Sequence, residues 1–168
     1  MGEVMWAPWR MAYILSDKEA GCIFCDKPCQ PHDAENYLLW RGSTAFVMLN
    51  RYPYNNGHLM VVPYRHVASL TDLTAVQRSD LFEVTATCEA VLRQALHPQG
   101  INIGLNLGSA AGAGIAEHLH IHLVPRWAGD TNYMTVVGEL RVIPQTLEQT
   151  YALLVPHFQS LPPSPSQT

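Results

Sequence analysis

Lysine is nearly absent from this chain: in 168 residues only Lys18 and Lys27 carry an ammonium group. Acidic residues outnumber basic ones, giving a formal charge of −4 and a sequence pI of about 6.0. A long nucleic acid needs a basic stripe to neutralise its phosphates, so none is expected as a partner. A small anion needs only one or two arginines. No run of 18 apolar residues occurs, so no segment is expected to span a membrane. The opening MGEVMWAPWR lacks a charged region followed by an apolar one and does not read as a signal peptide. A cytoplasmic location is therefore expected. There the few cysteines, Cys22, Cys25, Cys29 and Cys88, favour metal binding or catalysis over disulfides. Hydrophobic residues are plentiful, at 48%, enough for one compact domain with its own core.

Strand-like runs occupy 37–40, 45–49 and 58–62, the last closed by Pro63. The turn formers NRYPYNNG separate the second from the third. Residues 74–96 read as one helix, opened by a Thr74/Gln77 capping box and closed by Pro98 and Gly100. Leu81, Val84, Cys88, Val91, Leu92 and Ala95 share its core face. A strand follows at 101–105, then the small-residue loop GSAAGAG, a strand ending at Pro125, and a last helix at 144–157. The pattern predicts an α+β fold, a mainly antiparallel sheet with one long helix. Residues 1–21 form an N-terminal segment, 22–158 the single domain, and 159–168, ending LPPSPSQT, a tail expected to be disordered.

The chemistry concentrates in EHLHIHLVPRW, residues 117–127. Side chains alternate faces along a strand, so His118, His120 and His122 share one face and Leu119, Ile121 and Leu123 the other. Three of eight histidines within five residues make a chance polar face a poor account. Two chemical readings stand: a zinc ion on all three, or acid–base and nucleophilic chemistry with neutral imidazole. The loop ahead of the triad lets backbone N–H groups approach an anion, and Arg126 follows it. Together they suggest a phosphate site.

The run HLHIHLV, 118–124, resembles the signature of the histidine triad (HIT) family. NRYPYNNGHLMVVPYRH, 50–66, is similar to that family's ribose-binding strand-turn-strand, and NLGSAAGAG lies where the family keeps its phosphate loop. The opening WAPWR, the stretch AGAGIAEHLH and RVIPQ look closest to the branch containing diadenosine tetraphosphate phosphorylases. The resemblance implies a HIT-like fold, a homodimer with the long helix at its interface, and cleavage of nucleotide phosphoanhydrides at the α-phosphate. His120 would be the nucleophile and His122 would bind the reacting phosphate or leaving group. His58, Asn50, Asn106, Gly112, Gly114 and Arg126 would contact substrate. A nucleophilic imidazole needs its second N–H held by an acceptor, and a backbone carbonyl would do so without adding charge. The phosphorylase-like branch is expected to carry a serine where this chain has Gly114. Without that hydroxyl, water is expected to outcompete inorganic phosphate as acceptor. A non-catalytic nucleotide-binding module would not need the middle histidine.

Cys22-Ile-Phe-Cys25 forms a C-x-x-C without the βαβ pattern of a redox pair. In zinc-bearing HIT proteins such a pair is completed by two histidines, which His66 and His118 match. The resemblance thus implies a closed structural zinc site on Cys22, Cys25, His66 and His118. Cys29 and His32 offer a local competing pair, and Cys88 reads as core.

Overall fold

A computed structural model describes residues 21–130 and 143–161. The proposed N-terminal segment and the tail lie almost wholly outside them. A short helix α1 (Ile23–Asp26) and a 3-10 turn (Lys27–Cys29) lead into β1 (Leu38–Arg41), β2 (Ala45–Leu49) and β3 (Leu59–Pro63). The long helix α2 (Ala75–Leu96) crosses to β4 (Gly100–Leu105). A 3-10 turn (Ser109–Ala111) leads to β5 (Ile121–Arg126), and α3 (Leu147–Gln159) follows. The strands of the described residues form one sheet in the order β1-β2-β3-β5-β4, every neighbouring pair antiparallel.

Strict alternation splits the buried strand residues between two faces. Leu39, Val47, Leu49, Leu59, Val61, Ile121 and Leu123 meet Leu81, Cys88, Val91 and Leu92 of α2, with Leu154 and Phe158 of α3. Leu38, Phe46, Met48, Met60 and Val62 form a smaller cluster on the other face, covered by Phe24. The helix starts are as the sequence predicts for α2: Thr74 accepts from the Gln77 N–H, and the Gln77 side chain accepts from the Thr74 N–H. Thr146 and Gln149 repeat that box, so α3 begins at Leu147 rather than 144 and runs to Gln159. At the other end of α2 the left-handed cap is His97, at φ 48°. Pro98 and Gly100 follow the stop instead of forming it.

One expectation changes. The triad does not lie on a single strand: β5 begins at Ile121, so only His122 is in the ladder. The reason is the end of β3. Its ladder with β5 runs from Leu59↔Leu123 to Val61↔Ile121, and Pro63 closes the strand. Residues 118–120 are anchored individually instead. The Leu119 N–H donates to the Val67 carbonyl at 2.6 Å, and the His118 ring donates to the Pro63 carbonyl. Alternation survives: Leu119, Ile121 and Leu123 all enter the larger core.

Candidate active site

The three triad rings are buried, and each addresses a different partner. His120 Nδ1 lies 2.9 Å from the His118 carbonyl. A carbonyl only accepts, so the proton sits on Nδ1 and Nε2 keeps its lone pair. Burial lowers the His120 pKa from 6.5, the carbonyl contact opposing it. The ring is therefore neutral near pH 7 with one basic nitrogen exposed to chemistry.

His122 is oriented through a second histidine. The Tyr54 backbone N–H donates to His58 Nδ1 at 3.0 Å, which places the His58 proton on Nε2. That Nε2–H then donates to His122 Nδ1, also at 3.0 Å. In neutral His122 the remaining proton must sit on Nε2. Burial first, then His120, pushes the His122 pKa down to about 4. One neighbouring ring thus presents a lone pair and the other an N–H, 4.7 Å apart between centroids and nearly perpendicular at 78°. The approach of His58 to β3 depends on Gly57. Its φ of +74° suits glycine, and a Cβ there would come within 2.3 Å of Leu96 Cδ1.

Of the substrate contacts expected from the sequence, Asn50 is tied to His58 and Arg126 is engaged elsewhere. Asn50 directly follows β2; its Oδ1 accepts from the Tyr52 N–H and its own N–H donates to the His58 carbonyl, both at 2.9 Å. It does start the turn, and it ties that turn to His58. Asn106 directly follows β4. Gly112, at φ +87°, caps the 3-10 turn after Ser109, and Gly114 is exposed in the bend before the triad. Arg126 stands apart. Its guanidinium grips Asp130 at 2.7 and 2.9 Å and donates to Asn102. It lies four residues along β5 from His122, about 13 Å at strand rise. Convergence of Arg126 on the histidines is not what this geometry provides.

Three neighbours of the site went unnoticed in the sequence. The Tyr54 ring lies 4.7 Å from His58 and 5.8 Å from His122. Gly104 is the ladder partner of His122, and nothing lies within 4 Å of where its Cβ would be; a glycine inside a strand was the available signal for close approach of a ligand. Phe24, within the C-x-x-C, packs against both His118 and His120.

A second cluster adjoins the first. Sulfur and nitrogen donors of Cys22, Cys25, His66 and His118 all lie within 4.8 Å of one another. Cys22 Sγ is 3.3 Å from His118 Nδ1, Cys25 Sγ 3.3 Å from His66 Nδ1 and 3.6 Å from His118 Nδ1. Around a tetrahedral ion with bonds of about 2.3 Å to sulfur and 2.0–2.1 Å to nitrogen, S and N donors stand about 3.5 Å apart. The spacing fits. The His118 tautomer fits as well: Nε2–H donates to the Pro63 carbonyl at 2.8 Å, leaving the Nδ1 lone pair toward the thiols. Burial, then the Cys22 thiol, raises the Cys25 pKa to about 11, so the Cys25 thiol resists ionising until a cation neutralises it. Cys29 turns away, its thiol on the Cys25 carbonyl, and neither it nor His32 joins the cluster. Cys88 is fully buried core. Since the three triad rings point to three different partners, they do not form a common three-histidine metal site.

Comparison with known proteins agrees with this geometry. The HIT domain model matches residues 34–129. An AP-4-A phosphorylase from Mycobacterium tuberculosis is 42% identical over 167 residues, covering 94% of this chain and 85% of that protein. An asymmetrical bis(5'-nucleosyl)-tetraphosphatase from Schizosaccharomyces pombe is 36% identical over 88 residues, 52% of this chain and 47% of that one. A Zn-bound histidine triad family protein from Mycobacterium smegmatis superimposes with a TM-score of 0.66 at 28% identity, covering 83% of this chain and 94% of that one.

Proposed function

The chain belongs to the HIT family, and from that premise we propose that it cleaves dinucleoside polyphosphates at the α-phosphate through a nucleotidyl-histidine intermediate on His120. It is an enzyme of nucleotide hydrolysis or transfer, as its relatives are. The observation that carries the mechanism is the His118 carbonyl on His120 Nδ1–H, which leaves Nε2 as an unprotonated nucleophile.

Nε2 forms a bond to the α-phosphorus while the bond from that phosphorus to its bridging oxygen breaks. The bridging oxygen leaves with the polyphosphate as an anion, its developing charge accepting a hydrogen bond from His122 Nε2–H, while the His58 N–H holds Nδ1 on the other side of that ring. Both histidines are neutral, so the site greets a polyanion with aimed N–H groups rather than with charge. An acceptor oxygen then attacks the same phosphorus and releases His120. Asn50, Asn106 and the backbone around Gly112 and Gly114 are assigned to the ribose and phosphates. Arg126 would have to leave Asp130 to take part.

Water as acceptor is the reading favoured by Gly114, which offers no hydroxyl to orient inorganic phosphate. Phosphorolysis is the second reading, favoured by the kinship to an AP-4-A phosphorylase along 94% of the chain. Diadenosine tetraphosphate with and without millimolar phosphate separates them by product: AMP and ATP for hydrolysis, ADP and ATP at a phosphate-dependent rate for phosphorolysis. His120→Ala is expected to keep nucleotide binding and lose more than nine-tenths of turnover by either route. Retained turnover would sink the nucleophile assignment.

Zinc on Cys22, Cys25, His66 and His118 is proposed as structural. It would tie the residues around α1 to the end of β3 and the approach to β5, and supplies rigidity rather than reaction chemistry. Free thiols of this kind need a reducing compartment, which supports a cytoplasmic location. No described helix is long and apolar enough to cross a membrane. A homodimer is also proposed. Its support is β4, an edge strand with Ile103 exposed, beside exposed Leu107. Such an edge is open to pairing with a second copy.

A further inference from the structure

Phe24 sits between the two cysteines of the metal cluster, yet its ring faces the other way. It is 1% exposed and packs beneath the sheet face that carries Met48, Met60 and Val62. Its centroid lies 5.4 Å from that of His118, edge-on at 74°, and 5.0 Å from that of His120, tilted at 51°. The hydrogen bond from His120 Nδ1 to the His118 carbonyl chooses the tautomer but fixes only one point. A ring held at one nitrogen can still swing about that contact, and the swing moves Nε2 most. His122 borders His120 from another side. Phe24 supplies the remaining wall.

We propose that Phe24 is a positioning residue that fixes the plane of His120 and so links the Cys22–Cys25 turn to the nucleophile. The turn itself is tight: the Cys25 and Asp26 N–H groups both return to the Cys22 carbonyl at 2.9 Å. Cys22 and Cys25 hold one end of that turn to His118, and Phe24 presses the other side of the same turn on His120. Residues two apart in the triad are therefore gripped by one short element. A sulfur-and-imidazole cluster that merely stapled the fold would not need a flat ring aimed at the reacting histidine.

This inference rests on His120 acting as nucleophile, and the test is chosen to separate the two. Phe24→Leu in the full-length, metal-loaded chain keeps an apolar filler but removes the flat wall. Phe24→Met is the second variant, in case the Leu variant loses metal or folds poorly. The readouts are metal content, melting temperature, kcat and KM on diadenosine tetraphosphate, and the His120 Nδ1–H resonance in substrate-free protein. The expected result is full metal content, KM within about twofold and kcat lower by about tenfold, since small misplacements of a reacting group are costly. The His120 ring proton should broaden or exchange faster. Wild-type kcat with an unchanged resonance overturns the proposal, as does a loss of kcat that only tracks lost metal. If the wild-type protein turns over no dinucleotide, the functional reading fails, and the resonance comparison alone decides whether Phe24 holds the ring.

Discussion

His122 shows how much a single residue owes to its surroundings. An isolated imidazole titrates near 6.5, whereas burial and His120 bring this one to about 4. Above pH 6.5 both folded and unfolded chains hold it neutral, and its burial adds no pH dependence. As pH falls below 6.5 the unfolded chain binds a proton that the folded chain refuses until about 4. Stability must therefore decline on acidification across that window. One such histidine accounts for up to about 3 kcal/mol at full shift. A urea midpoint that drops steeply from pH 7 to pH 5 is the expected outcome. In His122→Asn the drop should be shallower over the same range; an identical drop would place the acid sensitivity elsewhere. The residue pattern itself was legible: alternate histidines against alternate aliphatics announced one polar and one core-facing row, and Leu119, Ile121 and Leu123 are in the core. What alternation could not convey is that each imidazole has its own hydrogen-bond partner, because Pro63 and His58, which hold His118 and His122, are remote in sequence.

At the scale of elements, α1 is the shortest α-helix among the described residues and among the most consequential elements. Four residues, Ile23–Asp26, cannot hold a helix by their own hydrogen bonds, given the cost of nucleation. The turn persists through Phe24 in the core and through the cysteines on His66 and His118. Cys25→Ser should therefore lose metal and lower the melting temperature together, because metal-binding free energy is folding free energy at such a site. Several kcal/mol is the expected scale. Chelation of the wild-type protein should reproduce the effect. A wild-type chain that is metal-free and equally stable would refute the assignment. The long helix α2, by contrast, was readable from its capping box and periodicity alone. Its end at Leu96 was readable too; the cap was not, since His97 adopts the left-handed conformation that sequence reasoning reserves for glycine or asparagine.

For the whole molecule, the open question is the sheet edge. Among the described residues β4 pairs only with β5, and Ile103 is 45% exposed on it. Long, uncharged edge strands invite pairing, and natural proteins blunt them with charge. The sequence reading placed the dimer contact on the long helix, where Phe82 is also exposed; edge strand and helix are separate candidates for one contact. If β4 carries it, Ile103→Glu should sediment as a monomer at micromolar concentration where the wild type sediments as a dimer. A wild-type monomer would remove the homodimer, and a dimeric Ile103→Glu would move the contact off the β4 edge.

The sequence by itself determined the α+β class, the strand and helix order, the triad, and the long-range set Cys22, Cys25, His66 and His118. These follow from period, turn chemistry and motif, all local in the chain or carried by family spacing. Tertiary structure decided the rest. It set the tautomers of His118 and His122 through the Pro63 carbonyl and the His58 ring, both far away in the chain. It turned Arg126 onto Asp130, a carboxylate four residues away. It also seated Phe24 against His118 of the cysteine–histidine cluster and against His120. Such contacts depend on where β3 ends relative to β5, a distance in space that no local pattern in the chain encodes.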